Sequence, residues 1–305
     1  MQFLQQLANG LVLGALYGLI ALGYTMVYGI IQLINFAHGE VFMIGAFGAL
    51  ATYTWLLPQT APSYVLLPLM LLGGILAAVL VAVAIERFAY RPLRHAPRLA
   101  PLITAIGISI FLQEAVRIYY PDATSARPFP QLISGPPLEI AGIQVSRAAA
   151  AIVVVAVVCM VALSQFVKRS RTGRAMQATA QDPDTARLMG INTDRIIVTA
   201  FVLGAILAAV AGVAQGLRFG QIDFRMGFLA GLKAFTAAVL GGIGNINGAV
   251  LGGFIIGIVE ALATQYAPNP FAGGAWSNVW VFVVLILVLT LRPQGLLGER
   301  VADRA

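Results

Sequence analysis

His38 and Glu40 stand two residues apart in QLINFAHGEVFMIG (32–45), with Asn35 just upstream. A histidine and a carboxylic acid at that spacing could work as a general acid–base pair or share a metal ion. A zinc site generally takes roughly three or four protein ligands, and the only other histidine is His95, in a basic loop. The flanks GYTMVYGIIQLI and VFMIGAFGAL also bring few further polar groups to an enzyme site. Two readings without bond-making chemistry are stronger. In one, Asn35 caps a short turn between helices and Gly39 relaxes the backbone. In the other, the stretch is an unwound kink lining a path for a polar solute, with Asn35, His38 and Glu40 facing it.

Other polar groups also sit in apolar surroundings. GGIGNINGA (241–249) breaks an apolar run with glycines and carries Asn245 and Asn247. Glu260, in IIGIVEALATQ, has no partner close in sequence and is a candidate for the path or a subunit interface. A charge at mid-membrane costs about 2.5–3.5 kcal/mol on insertion scales, so such groups normally face a cavity or a partner. Glu114 with Arg117, and Glu86 with Arg87, read as interfacial ion pairs.

The elements that must position these residues are membrane helices. The chain is 59% hydrophobic and only 10% charged, whereas a soluble domain is about a quarter charged. Its apolar runs reach the ~18 residues that mark a spanning helix, and they lack the alternation of a membrane β-barrel. Spans are expected near 11–31, 41–57, 64–86, 99–120, 148–167, 196–217, 231–247, 249–266 and 277–291. The seventh could be a half-helix, because glycines break it. The fold class is therefore an all-α polytopic transmembrane bundle of about nine spans, eight being possible, in one domain over 1–305. The opening MQFLQQLANG has no basic leader, so no cleavable signal peptide is expected. The lone Cys159 lies in an apolar run, which excludes an intramolecular disulfide.

Basic residues set the orientation. Residues 87–98 hold four arginines, 168–195 hold six Lys/Arg and the tail after Leu291 holds three, whereas 121–147 and 218–230 carry two each. The positive-inside rule places the first three in the cytoplasm, with the N-terminus outside and the C-terminus inside. Nine crossings fit that parity; eight would put the basic tail outside. The net charge of +7 is then a matter of orientation rather than of nucleic-acid binding. The longest external loop is 121–146, whose prolines and glycines suit a compact cap or an extended loop. No P-loop pattern occurs, so ATP hydrolysis is not expected of this chain.

The polar stretch GRAMQATAQDPDTARLMGINTDR (173–195) interrupts this apolar background. Proline at 183 pushes residue 182 out of the helical region, so one helix should stop near Gln181. Asp182 is then a good N-cap with Pro183 in the first helical position. Gly190 suits a left-handed stop, and Asn192 or Thr193 can cap the next helix. Ala175, Ala178 and Asp182 make a small-residue face. Ala186, Leu188 and Met189 are expected as exposed apolar knobs, a plug for a partner's socket; an ordinary loop helix lying on the membrane is equally compatible with the pattern. Small-residue spacings such as Gly14/Gly18, Gly204/Ala208/Gly212, Gly248/Gly252 and Gly253/Gly257 permit close helix contacts.

Together with GYTMVYGIIQLINFAHGEVFMIGAF (23–47) and AGLKAFTAAVLGGIGNINGAVLGG (230–253), this polar stretch closely resembles the LivH-type permeases of branched-chain amino acid ABC importers. The resemblance runs nearly end to end and is weakest in 121–146 and at the C-terminus. It implies an ABC importer permease fold in the bacterial inner membrane, alternating access, and a cytoplasmic coupling segment at 168–195 that docks on an ATPase. Gly173, Arg174, Ala178, Asp182, Ala186, Leu188 and Gly190 inherit that coupling role. The implied partners are a second permease of the LivM type, two ABC ATPase subunits and a periplasmic binding protein. This chain would bind no cofactor, with ATP and Mg held by the ATPase subunits. A urea or short-amide permease of the same superfamily is the nearest alternative.

Overall fold

The computed structural model describes residues 2–58, 60–94, 96–97, 99–140, 142–268, 271–292 and 294–298; His95 lies outside them. Its centre is α1 (Gln2–Ile31), apolar on every side and buried along most of its length. Such a helix has no polar face to turn to solvent, so neighbours must surround it. Glycines let them close in. Gly10 and Gly14 of α1 meet α10 (Ile246–Tyr266) so tightly that a Cβ on Gly14 would lie 2.6 Å from Phe254 Cα. A Cβ on Gly253 would lie 2.6 Å from Gly18 Cα. The Gly14/Gly18 and Gly253/Gly257 spacings thus serve packing within the chain, with α1 and α10 antiparallel.

Around this pair stand α2 (His38–Ala51), α3 (Ser63–Ile85), α8 (Thr193–Phe219) and α9 (Met226–Gly241). Both α2 and α3 continue as single π-helical turns, Thr52–Leu56 and Glu86–Tyr90. On the outside lie α4 (Leu99–Tyr119), α5 (Arg147–Arg169) and α11 (Gly274–Leu291), largely exposed, as lipid-facing or subunit-facing helices are. Two short helices, α6 (Arg171–Gln181) and α7 (Pro183–Leu188), link α5 to α8.

Among the described residues, seven helices are long and apolar enough to cross a membrane. The segments expected at 41–57 and 231–247 are the shorter ones, α2 with its π turn and α9. The first begins at His38, not 41. The second runs 226–241, about 24 Å, and stops where Gly242 (φ +105°) and Gly244 (φ +96°) adopt backbone that side-chain-bearing residues avoid.

The loop 121–146 is a small cap. β1 (Arg127–Pro128) pairs antiparallel with β4 (Gln221–Ile222), and β2 (Leu138–Ile140) with β3 (Ile143–Val145). Phe129 N–H donates to Gly220 O at 2.9 Å, and the Phe129 ring is buried against Gly216.

Candidate functional site

The polar module is built from local capping. Ser170 Oγ accepts from Gly173 N–H at 2.8 Å to start α6. Gly173 sits against the α5 backbone, where a Cβ would lie 2.5 Å from Phe166 O. The small-residue side of α6 is therefore turned on its own chain: Gly173, Met176 and Thr179 are buried, with Ala175 and Ala178 half-buried. Asp182 starts α7, its Oδ1 accepting from Asp184 N–H (2.9 Å) and Thr185 N–H (3.1 Å). The far end closes with Gly190 N–H to Arg187 O and Ile191 N–H to Ala186 O, both 3.0 Å, around Gly190 at φ +84°. This paired arrangement satisfies the last carbonyls of the helix. Asn192, rather than Thr193, caps α8, accepting from Arg195 N–H at 3.1 Å.

What this rigid turn presents is Leu188 and Met189, 88% and 78% exposed. Ala186 is not a knob as expected: it is buried beneath the turn, on the side of α7 that faces its neighbours. Arg187 ties the helix down through Thr193 Oγ1 (2.9 Å) and Asp184 (3.2 Å). Arg174 is exposed and donates to Arg169 O at 3.1 Å.

The base of α8 is bound to the end of α3. Asp194 pairs with Arg91 at 2.6 Å and with Arg94, and Arg94 also holds the buried Glu86. Glu86 therefore pairs with Arg94, not with Arg87; a π turn and a further turn bring residue 94 back over it. Glu114 and Arg117 do pair, at 2.5 Å, on the surface.

The second region lies where α2 begins. His38 packs against Gly23 of α1 and Gly204 of α8. Gly23 is about 12 Å along α1 from its last residue, Ile31, and Gly204 about 15 Å along α8 from Asp194. With a hydrocarbon core of about 30 Å, α2 starts near half-depth, and the non-helical 32–37 makes the climb, turning at Gln32 (φ +52°). Both sequence readings hold a part of this. Asn35 closes the turn ahead of α2 rather than capping the helix, whose N-cap is Ala37: its Oδ1 accepts from Ala37 N–H (3.1 Å), and the Tyr90 hydroxyl, which donates to Ile34 O at 3.0 Å, lies 3.4 Å away. Yet the segment is an unwound backbone at depth. Gly39 does not relax a turn: it is helical and lets the α9 backbone at Gly227 and Gly231 come into contact.

Glu40 is buried, with Oε1 accepting from Ser109 Oγ of α4 at 3.0 Å. Its Oε2 has no hydrogen-bond partner among the described residues, nor does Asn35 Nδ2, while the His38 ring is within reach of the Ile20 backbone. Buried polar atoms of this kind are nearly always satisfied, so two in one region mark it as unusual. The Tyr24 ring meets His38 edge-on at 4.8 Å.

The remaining candidates have structural partners. Asn245 caps α10, Oδ1 accepting from Asn247 N–H (3.0 Å) and Gly248 N–H (3.2 Å), while its Nδ2 donates to Leu297 O (2.9 Å). Asn247 is exposed. Glu260 has partners on two other helices: Lys233 of α9 at 2.6 Å and the Tyr17 hydroxyl of α1 at 2.8 Å. Lys233 escaped the sequence reading although a lone cation inside the apolar 231–247 was a usable signal. Ser109 and Tyr90 left none.

Comparison with known proteins agrees with this architecture. The family described as "Branched-chain amino acid transport system / permease component" matches residues 6–289. The high-affinity branched-chain amino acid transport system permease protein BraD of Pseudomonas aeruginosa is 48% identical, over 97% of this chain and 96% of that protein. LivH of Salmonella typhimurium, a permease of the same description, is 46% identical over 97% and 96%. A solved metal-chelate type ABC transporter in an inward-facing conformation shares the fold, with a TM-score of 0.52 at 15% identity over 95% of this chain and 87% of that one.

Proposed function

The chain belongs to the permease family of branched-chain amino acid transport systems, and from that premise we propose that residues 168–195 seat in a nucleotide-driven motor whose movement opens and closes a path at the start of α2. It is a multi-pass membrane permease subunit of a branched-chain amino acid ABC importer, a transporter rather than an enzyme, and it works in a complex with other subunits.

The partners in this reading are a second, LivM-type permease, two ABC ATPase subunits and a periplasmic substrate-binding protein. The chain holds no cofactor of its own; ATP and Mg belong to the ATPase subunits. The membrane is the bacterial inner membrane, crossed nine times when α2 and α9 are included, with the N-terminus outside and the C-terminus cytoplasmic. Support for that sidedness comes from charge: the arginine-rich 87–98 and the polar module are bonded together through Asp194 at one end of the bundle, and Lys/Arg-rich loops stay inside.

One observation carries the mechanism. Leu188 and Met189 project from a helix whose two ends are fully capped, so a push on them displaces the whole turn rather than deforming it. The displacement passes into α8, which begins at Thr193 and reaches His38 and Gly23 at Gly204. A shift of α8 there repacks the junction of α1, α2 and α9. Gly173, Arg174, Ala178, Asp182, Ala186 and Gly190 shape and hold the module. Asn35, His38 and Glu40 stand at the path. Asn245 and Asn247 shape the turn into α10, and Glu260 anchors α9 beside it.

In the complete transporter, Leu188→Asp is expected to lower uptake of a branched-chain amino acid by about tenfold or more, as loss of a buried anchor at an interface does, while membrane insertion stays normal. Unchanged uptake would remove the coupling role. Asn35→Leu should impair uptake with the ATPase still docked; normal uptake would return 32–37 to a plain turn.

A further inference from the structure

An open cleft of about 570 Å³ lies between α4 and α9, bordered also by Tyr24 and Phe36. Its wall is mostly aliphatic and aromatic: Ile106 and Ile110 from α4, and Phe228, Leu229 and Leu232 from α9. Gln113, Ser109 and Arg225 break this surface with polar groups, and the last two bear on a charged ligand. Ser109 lines it, and its hydroxyl proton is committed to the buried Glu40 behind it. Arg225 lines it too, exposed and in no ion pair among the described residues; its guanidinium rests 5.0 Å from the centre of the Phe224 ring.

We propose that this cleft is where the amino acid rests during passage, its ammonium group on Ser109 backed by Glu40 and its carboxylate on Arg225. The inference rests on the transport reading above and assigns its substrate contacts. A serine hydroxyl that donates its proton to a carboxylate keeps lone pairs free to accept from a ligand ammonium, and hydrogen bonds with an ionised partner are the stronger kind. The second Glu40 oxygen lies against Gly227 of α9, between the lining residues Arg225 and Phe228 in sequence, with no partner. A cation arriving nearby supplies the counter-charge that this buried acid lacks. The aliphatic side chain of the substrate then covers the isoleucine and leucine wall, as ligands do in apolar pockets with a few placed polar groups. Urea and short amides carry neither charge and leave both Glu40 and Arg225 unanswered.

The experiment uses the complete transporter in proteoliposomes, with Cys159→Ser in the permease and Leu229→Cys as a reporter in the cleft wall. Maleimide labelling of that cysteine during turnover should slow about fivefold or more when leucine is supplied. Adding Glu40→Gln should abolish the protection while the rate without leucine stays within about twofold, which reports an intact wall. Leucine uptake by Glu40→Gln and by Arg225→Gln should each fall about tenfold or more, and Glu40→Asp should recover part of it. Equal labelling with and without leucine, including the case in which another subunit covers the cleft, would overturn the proposal. So would uptake within twofold of the parent in both variants. A parent transporter that carries no leucine would instead overturn the transport reading itself, which separates the two failures.

Discussion

The α6–α7 module and the start of α2 solve the same problem, placing polar groups in an apolar protein, in opposite ways. In the module every cap is answered by a neighbour in the chain: Asp182 by Asp184 and Thr185, Gly190 by Arg187, Asn192 by Arg195. Its polar groups are settled, and what it leaves over is apolar, Leu188 and Met189. At α2 the side-chain partners come from far along the chain, Ser109 for Glu40 and Tyr90 for Asn35, although Asn35 also accepts from Ala37 N–H two residues on. There what is left over is polar, Glu40 Oε2 and Asn35 Nδ2. A surface with spare apolar groups suits a protein partner. A buried region with spare polar groups suits a small polar solute. In the proposed mechanism that difference corresponds to two separate tasks.

The contrast can be broken by substitution, and the largest effect belongs to the distant contacts. Lys233→Met leaves the partly buried Glu260 with the Tyr17 hydroxyl alone and should cost about 3 kcal/mol, the lower end for a broken buried pair, read as a fall in the thermal midpoint of the purified complex. Removing both charges, Lys233→Met with Glu260→Leu, should restore most of it. Next, Gly257→Ala places a Cβ into the Gly10–Gly14 backbone and should cost about 1–3 kcal/mol as overpacking does, in the same assay. Smallest is Asp182→Ala, which removes a local cap for about 1 kcal/mol; it should loosen the α7 turn and lower uptake more than it lowers the thermal midpoint. If Asp182→Ala destabilised the bundle as much as Lys233→Met, the division into local and distant stabilisation would fail.

The same division explains what could be read in advance. The stop at Gln181, the Asp182 cap with Pro183, the Gly190 reversal and the break after Gly241 all depend on residues within a turn of each other, and the structure has each of them. Ala186 is covered rather than exposed, since helical spacing says which residues share a face but not whether a neighbouring element covers it. Glu86 stands beside Arg87 in sequence, yet the chain folds back so that Arg94 reaches it. Glu260 looked alone because its cation lies 27 residues earlier on another helix. The depth of the α2 start stayed open between two sequence readings, a short turn and an unwound kink, and it is the packing of His38 beside Gly23 and Gly204 that carries 32–37 toward the middle of the bundle.

The most direct measurement is cross-linking from the tip of α7. With Cys159→Ser and Leu188→Cys in the assembled transporter, a short bifunctional thiol reagent and single cysteines across the ATPase surface should yield a permease–ATPase product, with a yield that changes between the ATP-bound and nucleotide-free states. Products only with lipid or with the permease itself, or a yield indifferent to nucleotide, would contradict a motor seated on Leu188 and Met189.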